Sequence, residues 1–259
     1  MYEILAFDDL TSLILAMLSV ALVGLAKGGL GGAMAIMGMA TLSLIVPPVQ
    51  AAGILLPILL AMDAVSLWSW WKSWDVRLIR TMLPGALVGV AIGWATAAYV
   101  TDGVIRLIVG LIALLFIIRW VTAGKAARAT AQPHNPVAAA IWSTISGYTS
   151  FVAHAGGPPY QIYTVPLRLP PKIFTGTSVA VFSIINFVKV IPYFALGQFD
   201  TQNLATSAAL LPVALLATLA GVAIVKRLRA EVFYPIMYTM LFLLSVKLIW
   251  DGSRSVWGI

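Results

Sequence analysis

The chain has 259 residues, of which 61% are apolar and only 10% charged, and its mean hydropathy is +0.99. This lies far outside the soluble range and describes a polytopic membrane protein rather than a soluble enzyme or binding module. A net charge of +7 and a pI of about 9.8 would suit a nucleic-acid partner in a soluble chain, but here the basic residues belong to loops beside a lipid bilayer, and no nucleic-acid partner is expected.

Ten apolar segments follow one another at roughly 10–26, 30–46, 49–71, 81–100, 104–121, 136–154, 157–167, 172–195, 203–225 and 232–250, and the pattern predicts an all-α membrane fold. The first dozen residues hold Glu3, Asp8 and Asp9 but no Lys or Arg. They lack the basic start of a cleaved signal, so the first segment is expected to stay in the membrane. With the N-terminus outside, Lys72, Arg77, Arg80, Arg119, Lys125, Arg128, Arg168, Lys172, Lys226, Arg227 and Arg229 all fall at inner loops or segment ends. The outer connections at 47–50, 101–103 and 196–202 hold none, Arg254 lies in the final tail, and Arg106, Lys189 and Lys247 lie near outer segment ends. Because the loop bias of basic residues sets orientation, the central linker is placed in the cytoplasm of a multi-pass inner-membrane protein.

The two halves superpose as sequences. An offset of 123 brings Pro48 onto Pro171, Gly53 onto Gly176 and Asp63 onto Asn186; after an insertion of five, Pro84 meets Pro212 and Gly93 meets Gly221. The boundary is the hydrophilic stretch "TAGKAARATAQPHN" at 122–135, leaving a first repeat at 1–121 and a second at 136–259. Each half has five apolar segments, an odd number of passes, so the halves point in opposite directions. Inverted repeats with interrupted helices are the architecture of secondary transporters, whose site lies near the midplane.

Both halves break at the same place. Segments 1 and 2 are separated by "KGGLGG" and segments 6 and 7 by "HAGGPP", with Gly31 and Gly32 falling on Gly156 and Gly157 at an offset of 125. Segments 2 and 7, about 17 and 11 residues long, are shorter than the roughly 20 that a crossing needs, so each pair is expected to be a Gly-broken helical hairpin. Irregular backbone at membrane depth is tolerated only against protein or a wet cavity. The helices starting after the glycines aim N-terminal amides, each end carrying about half a positive charge, at one small volume. Gly28, Gly29, Gly31, Gly32, Gly156 and Gly157, with Lys27 beside them, therefore form a candidate anion site. Gly85, Gly89 and Gly93, spaced by four, read instead as close helix packing.

The turns "GLAKGGLGG" and "SGYTSFVAHAGGPPYQ", the prolines in the helix start after the second, and the chain length resemble the sulfite exporter TauE/SafE family over almost the entire sequence. The second motif is the more distinctive. Members of that family are implicated in moving sulfur-containing anions such as sulfite and organosulfonates across the cytoplasmic membrane, and the resemblance implies that substrate class.

Asp63 is the one acidic residue well inside an apolar segment and is the first candidate for proton coupling, with His154 as the second and also as an anion contact. Lys189 is its natural partner in type, but depths counted along the two helices leave a gap of roughly 13 Å, so Lys189 is expected to snorkel outward or to line an outer vestibule. Asn186 and Gln161 are assigned to substrate oxygens, with Thr149, Tyr148, Tyr160 and Ser178 as weaker candidates. Trp68, Trp70, Trp71 and Trp74 read as an aromatic belt at the inner interface. Without cysteine, and with only His134 and His154 as imidazoles, no metal or other cofactor is expected. No phosphate loop and no H-E-x-x-H pair occurs, which disfavours an ATP-driven pump or a zinc protease within this chain. The sequence thus predicts a non-enzymatic secondary transporter of a small sulfur-containing anion working by alternating access, proton-coupled through Asp63 or His154. An anion channel, and more remotely a membrane assembly factor, are the alternatives.

Overall fold

Inside lipid every backbone polar group has to be satisfied within the chain, and helices are the only regular elements among the described residues. The computed structural model describes residues 6–7, 9–96, 99, 101–122, 130–195, 197 and 199–258; Glu3, Asp8 and most of the expected linker, with Lys125 and Arg128, lie outside them. The helices are α1 (Leu10–Leu25), α2 (Gly32–Leu42), α3 (Pro48–Ser69), α4 (Val76–Thr96), α5 (Asp102–Thr122), α6 (Pro136–Ala153), α7 (Gly157–Thr164), α8 (Pro171–Ala195), α9 (Thr201–Arg227) and α10 (Ala230–Trp257). A single π turn, Ala26–Leu30, extends α1, and a short 3₁₀ turn, Val165–Leu167, extends α7. Seven of these stretches are long and apolar enough to cross a membrane.

Short polar residues start the helices where the apolar runs begin. Asp9 accepts the Ser12 N–H at 2.8 Å, Asp75 the Leu78 N–H at 3.0 Å, Asn135 those of Val137 and Ala138 at 3.0 and 3.1 Å, and Asp200 that of Asn203 at 2.8 Å. Each satisfies amides that a helix start leaves without partners. Asp75 explains why α4 begins five residues before the apolar run that announces it.

Apolar side chains cover the surface as well as filling the core. Leu44, Leu115, Phe187, Phe194 and Leu216 are each at least 65% exposed, while Ser19, Ser66, Thr164, Thr177, Thr206, Thr218 and Ser245 are fully enclosed. The exposed residues form a surface suited to hydrocarbon, and the enclosed hydroxyls answer backbone carbonyls within the bundle.

Small residues let the helices approach. A Cβ on Gly89 would overlap the Thr144 carbonyl, and one on Gly147 the Ala86 carbonyl, so α4 and α6 touch backbone to backbone. Gly85 and Gly93 lie on the same seam, as their spacing predicts. A Cβ on Gly28 would come within 2.6 Å of Gly221 C, fastening the end of α1 to α9, and one on Gly252 within 2.6 Å of Leu107 N, fastening α10 to α5.

α1 and α2 fold back on one another, with the Ser19 hydroxyl donating to the Gly38 carbonyl at 2.7 Å. α6 and α7 form the second pair. With 11 and 8 residues, α2 and α7 reach about 16 and 12 Å at about 1.5 Å per residue, well short of a bilayer core of about 30 Å.

Candidate functional site

The site begins at the two breaks. In the first, Gly29 and Gly31 take φ values of 127° and 98°, a region open in practice only to glycine, and α2 starts at Gly32. In the second, α6 ends at His154 in the left-handed region with φ 51°, and α7 starts at Gly157. The breaks meet: a Cβ on Gly32 would lie 3.2 Å from Gly157 Cα, and the reverse distance is 3.3 Å. Two helix N-termini therefore abut in the interior.

The carbonyls released by the breaks are answered by side chains. Lys27 O accepts from the Ser66 hydroxyl at 3.0 Å and Gly28 O from Trp70 Nε1 at 3.3 Å; Gly156 O accepts from Ser146 at 2.7 Å and Ala155 O from Thr149 at 3.1 Å. These four carbonyls are thus answered within the protein, while the helix starts at Gly32 and Gly157 leave N-terminal amides at the breaks. The ends contribute unequally: Pro158 and Pro159 carry no N–H, so the start of α7 offers Gly156 and Gly157, whereas the first turn of α2 keeps its full set of amides.

Between the breaks is a cavity of about 140 Å³, lined by Lys27, Gly29, Gly31, Gly32, His154, Gly156, Gly157, Gln161, Asn186 and Lys189 together with Ser150, Tyr160, Thr175 and Ser178. It is large enough for a few waters or one small polyatomic ion. Its apolar wall includes Leu55, Leu59, Phe174 and Phe182. The Lys27 ammonium donates to Asp63 Oδ1 at 2.5 Å, and Asn186 Nδ2 donates to Asp63 Oδ2 at 2.7 Å. Asp63 stands behind this pair with its side chain 4% exposed, outside the cavity lining. Gln161 Oε1, an acceptor, and the Thr175 hydroxyl, which can donate or accept, belong to residues lining the cavity and are buried without a hydrogen-bond partner. His154 Nε2 pairs with the Tyr193 hydroxyl at 2.8 Å. With Met39, His154 also separates the cavity from a second opening of about 460 Å³ walled by Arg106, Lys247, Asp251 and Arg254.

A family model described as Sulfite exporter TauE/SafE matches residues 16–248. The chain belongs to the TauE/SafE family. No curated protein and no solved structure matches it. Every residue of the cavity lies within the matched span, and TauE/SafE membership makes this a multi-pass membrane transporter.

The geometry brings together most residues that the sequence singles out in this TauE/SafE chain, and it corrects several roles. Gly28 faces α9 rather than the cavity. Lys189 neither snorkels nor lines an outer vestibule: it is 2% exposed, and its ammonium donates to the carbonyl and, at 2.9 Å, to the hydroxyl of Ser150 in the cavity wall. Position along α8 sets the depth of Lys189, but the face its side chain takes turns it into the cavity wall. Trp68 and Trp71 are exposed, as a belt requires, but Trp70 is 1% exposed and turned inward to cap Gly28. Thr149 serves the backbone, and Tyr148 does not line the cavity. Residues missed from sequence are Ser66, Ser146, Ser150, Thr175 and Tyr193. For α6 a signal existed: positions 143, 146, 150 and 154 share one helical face and are Ser, Ser, Ser and His.

Proposed function

We propose that this chain is a secondary transporter that moves a small sulfur-containing oxyanion across the cytoplasmic membrane by alternating access, with residues 1–121 and 136–259 as inverted repeats. The observation that carries the proposal is the meeting of Gly32 and Gly157 beside Lys27, which turns two helix starts onto one cavity. Amides at Gly31, Gly32, Gly156 and Gly157 hold the oxyanion, in the manner of anion sites at helix N-termini, and Lys27 adds a full charge. Gln161 and Asn186 orient its oxygens. Asp63, held between Lys27 and Asn186, is the coupling carboxylate: protonating it releases Lys27 toward the anion, and His154 relays or replaces that proton at the opening.

Reciprocal packing supports the repeat. α1 packs on α9 while its counterpart α6 packs on α4, the counterpart of α9; α5 pairs with α10, its own counterpart. Asp63 and Asn186, equivalent at the offset of 123, hydrogen-bond one another, as residues near a pseudo-two-fold axis do. The bias of basic residues supports an N-terminus outside and a linker inside. The test is uptake of radiolabelled sulfite by the purified protein in sealed vesicles, with and without a proton gradient. Lys27→Met is expected to lower flux about tenfold or more, and Asp63→Asn to remove the response to the gradient. Unchanged flux and coupling in both variants would refute these roles, and ionic currents far above carrier turnover would replace the carrier with a channel.

A further inference from the structure

The proposal above leaves one buried cation without a task. Lys189 lies one helical turn after Asn186 on α8 and so faces the same cavity, but its ammonium meets only the carbonyl and hydroxyl of Ser150, both uncharged. Asp63, the acid next to Asn186, has one oxygen on Lys27 and the other on Asn186. Among the described residues no carboxylate lies within salt-bridge distance of Lys189. An ammonium has three donors, and Ser150 takes two of them. A cation buried in this way is costly unless a counter-charge reaches it. Elsewhere the cavity wall holds Gln161 Oε1 and the Thr175 hydroxyl, buried and unpartnered.

We infer that Lys189 binds the transported anion directly, and that the cavity, with one cation more than carboxylates once Asp63 behind its wall is counted, selects singly charged over doubly charged oxyanions. The inference rests on the transport reading of this cavity. On formal charges, Lys27 and Lys189 against Asp63, the occupied site is neutral with a monoanion and carries a negative excess with a dianion. In an interior of low dielectric that excess is strongly unfavourable. Lys27 keeps Asp63 as its partner until that carboxylate is protonated, so Lys189 is the cation that first meets the monoanion, and Lys27 joins it afterwards. Removing Asp63's charge would leave two uncompensated cations and turn the preference toward dianions.

The experiment titrates the detergent-solubilised full chain, following its melting temperature and binding heat, with three probes: methanesulfonate, a monoanion; sulfate, a dianion; and dimethyl sulfone, a neutral molecule of similar shape. Wild type is expected to bind methanesulfonate about tenfold or more tighter than sulfate and to ignore the sulfone. Lys189→Met should lose about tenfold or more in methanesulfonate affinity, Lys189→Arg should recover part of it, and Asp63→Asn should reverse the order of the two anions. Should Lys189→Met fail to fold, the wild-type ratio and the reversal in Asp63→Asn decide the matter. Sulfate binding as tightly as methanesulfonate to wild type, or a Lys189→Met affinity within about twofold of wild type, overturns the inference while leaving an anion site in place. Failure of both anions to bind wild type overturns the transport reading and this inference with it.

Discussion

Cutting either end of the Lys27–Asp63 ion pair should destabilise the protein far more than cutting both. The pair is inside: the two side chains are 13% and 4% exposed, and Asp63 gains a second hydrogen bond from Asn186. Asp63→Ala leaves the Lys27 ammonium without its carboxylate at membrane depth, where breaking a buried pair costs about 3–5 kcal/mol. Because Lys27 lines the cavity, water entering there brings the cost toward the lower end, about 3 kcal/mol. Lys27→Met strands the carboxylate on Asn186 alone and should cost a similar amount. The double variant Lys27→Met/Asp63→Leu removes both charges and fills their volume with apolar atoms. Its remaining penalty is the orphaned Asn186 amide, about 1 kcal/mol.

The expected result is thus a double variant more stable than either single one, with an interaction energy of several kcal/mol in the thermodynamic cycle. The assay is reversible SDS-induced unfolding from mixed micelles, followed by fluorescence of the nine tryptophans. Additive losses, or single-variant costs below about 1 kcal/mol, would place the pair in the solvated regime and refute the claim that Asp63 is enclosed behind the cavity.

Two further outcomes follow from the same geometry. Gly28→Ala would place a Cβ 2.5 Å from Thr218 O and Val222 N, both backbone, so α9 must shift; the cost is about 1–3 kcal/mol in the same unfolding assay. Gly157→Ala meets only Gly32 Cα at 3.3 Å, so it should leave stability within about 1 kcal/mol of wild type while lowering anion flux, since its methyl stands over the amides at the break. At the other end of the chain, the Asp9 carboxyl is held below the usual aspartate range by the Ser12 N–H and hydroxyl. A depressed folded-state pKa means that the cap stabilises α1 above the ordinary carboxylate range and is lost as pH falls through the folded value. The protection factor of the Ser12 amide, its exchange slowed relative to an unstructured chain at the same pH, should therefore fall below about pH 4 in wild type and be low at every pH in Asp9→Ala.

The helices were legible because the two signals that define them are local. Apolar runs fix the spans, and Asn135 or Asp200 followed by such a run fixes a start to within a residue or two. The last helix outruns its apolar segment because Lys247 and Asp251 pair at i and i+4, which keeps polar residues helical as far as Trp257. The glycine breaks were legible because they are duplicated. The partnerships of the site were not, since Lys27 and Asp63 are 36 residues apart and Asp63 and Asn186 are 123 apart, and no periodicity reports which faces of three helices converge. Lys189 and Trp70 were misplaced for one reason: position along a helix sets depth, whereas the angle around it decides between lipid and interior.

That angle bears on how such a molecule can move. The carbonyls of the first break depend on Ser66 and Trp70 of α3, and its Gly28 is fastened to Gly221 of α9, whereas those of the second depend on Ser146 and Thr149 of its own hairpin. Separating the first hairpin from α3 would strand Lys27 O and Gly28 O inside lipid, at about 1–3 kcal/mol for each unsatisfied group, and separating it from α9 would open a backbone-to-backbone seam. α6 is fastened to α4 in the same way, through Gly147 and Gly89. An alternating motion that respects these contacts cannot rock residues 1–121 against 136–259 as continuous blocks, because each hairpin is clamped to a helix of the other half. The units that can part are one hairpin with α3 and α9, and the other with α4, and the seam between them is where Gly32 meets Gly157. On the proposed transport cycle, the place that holds the anion and the place that opens are then the same, which would couple occupancy of the site to the motion without any relay between distant parts.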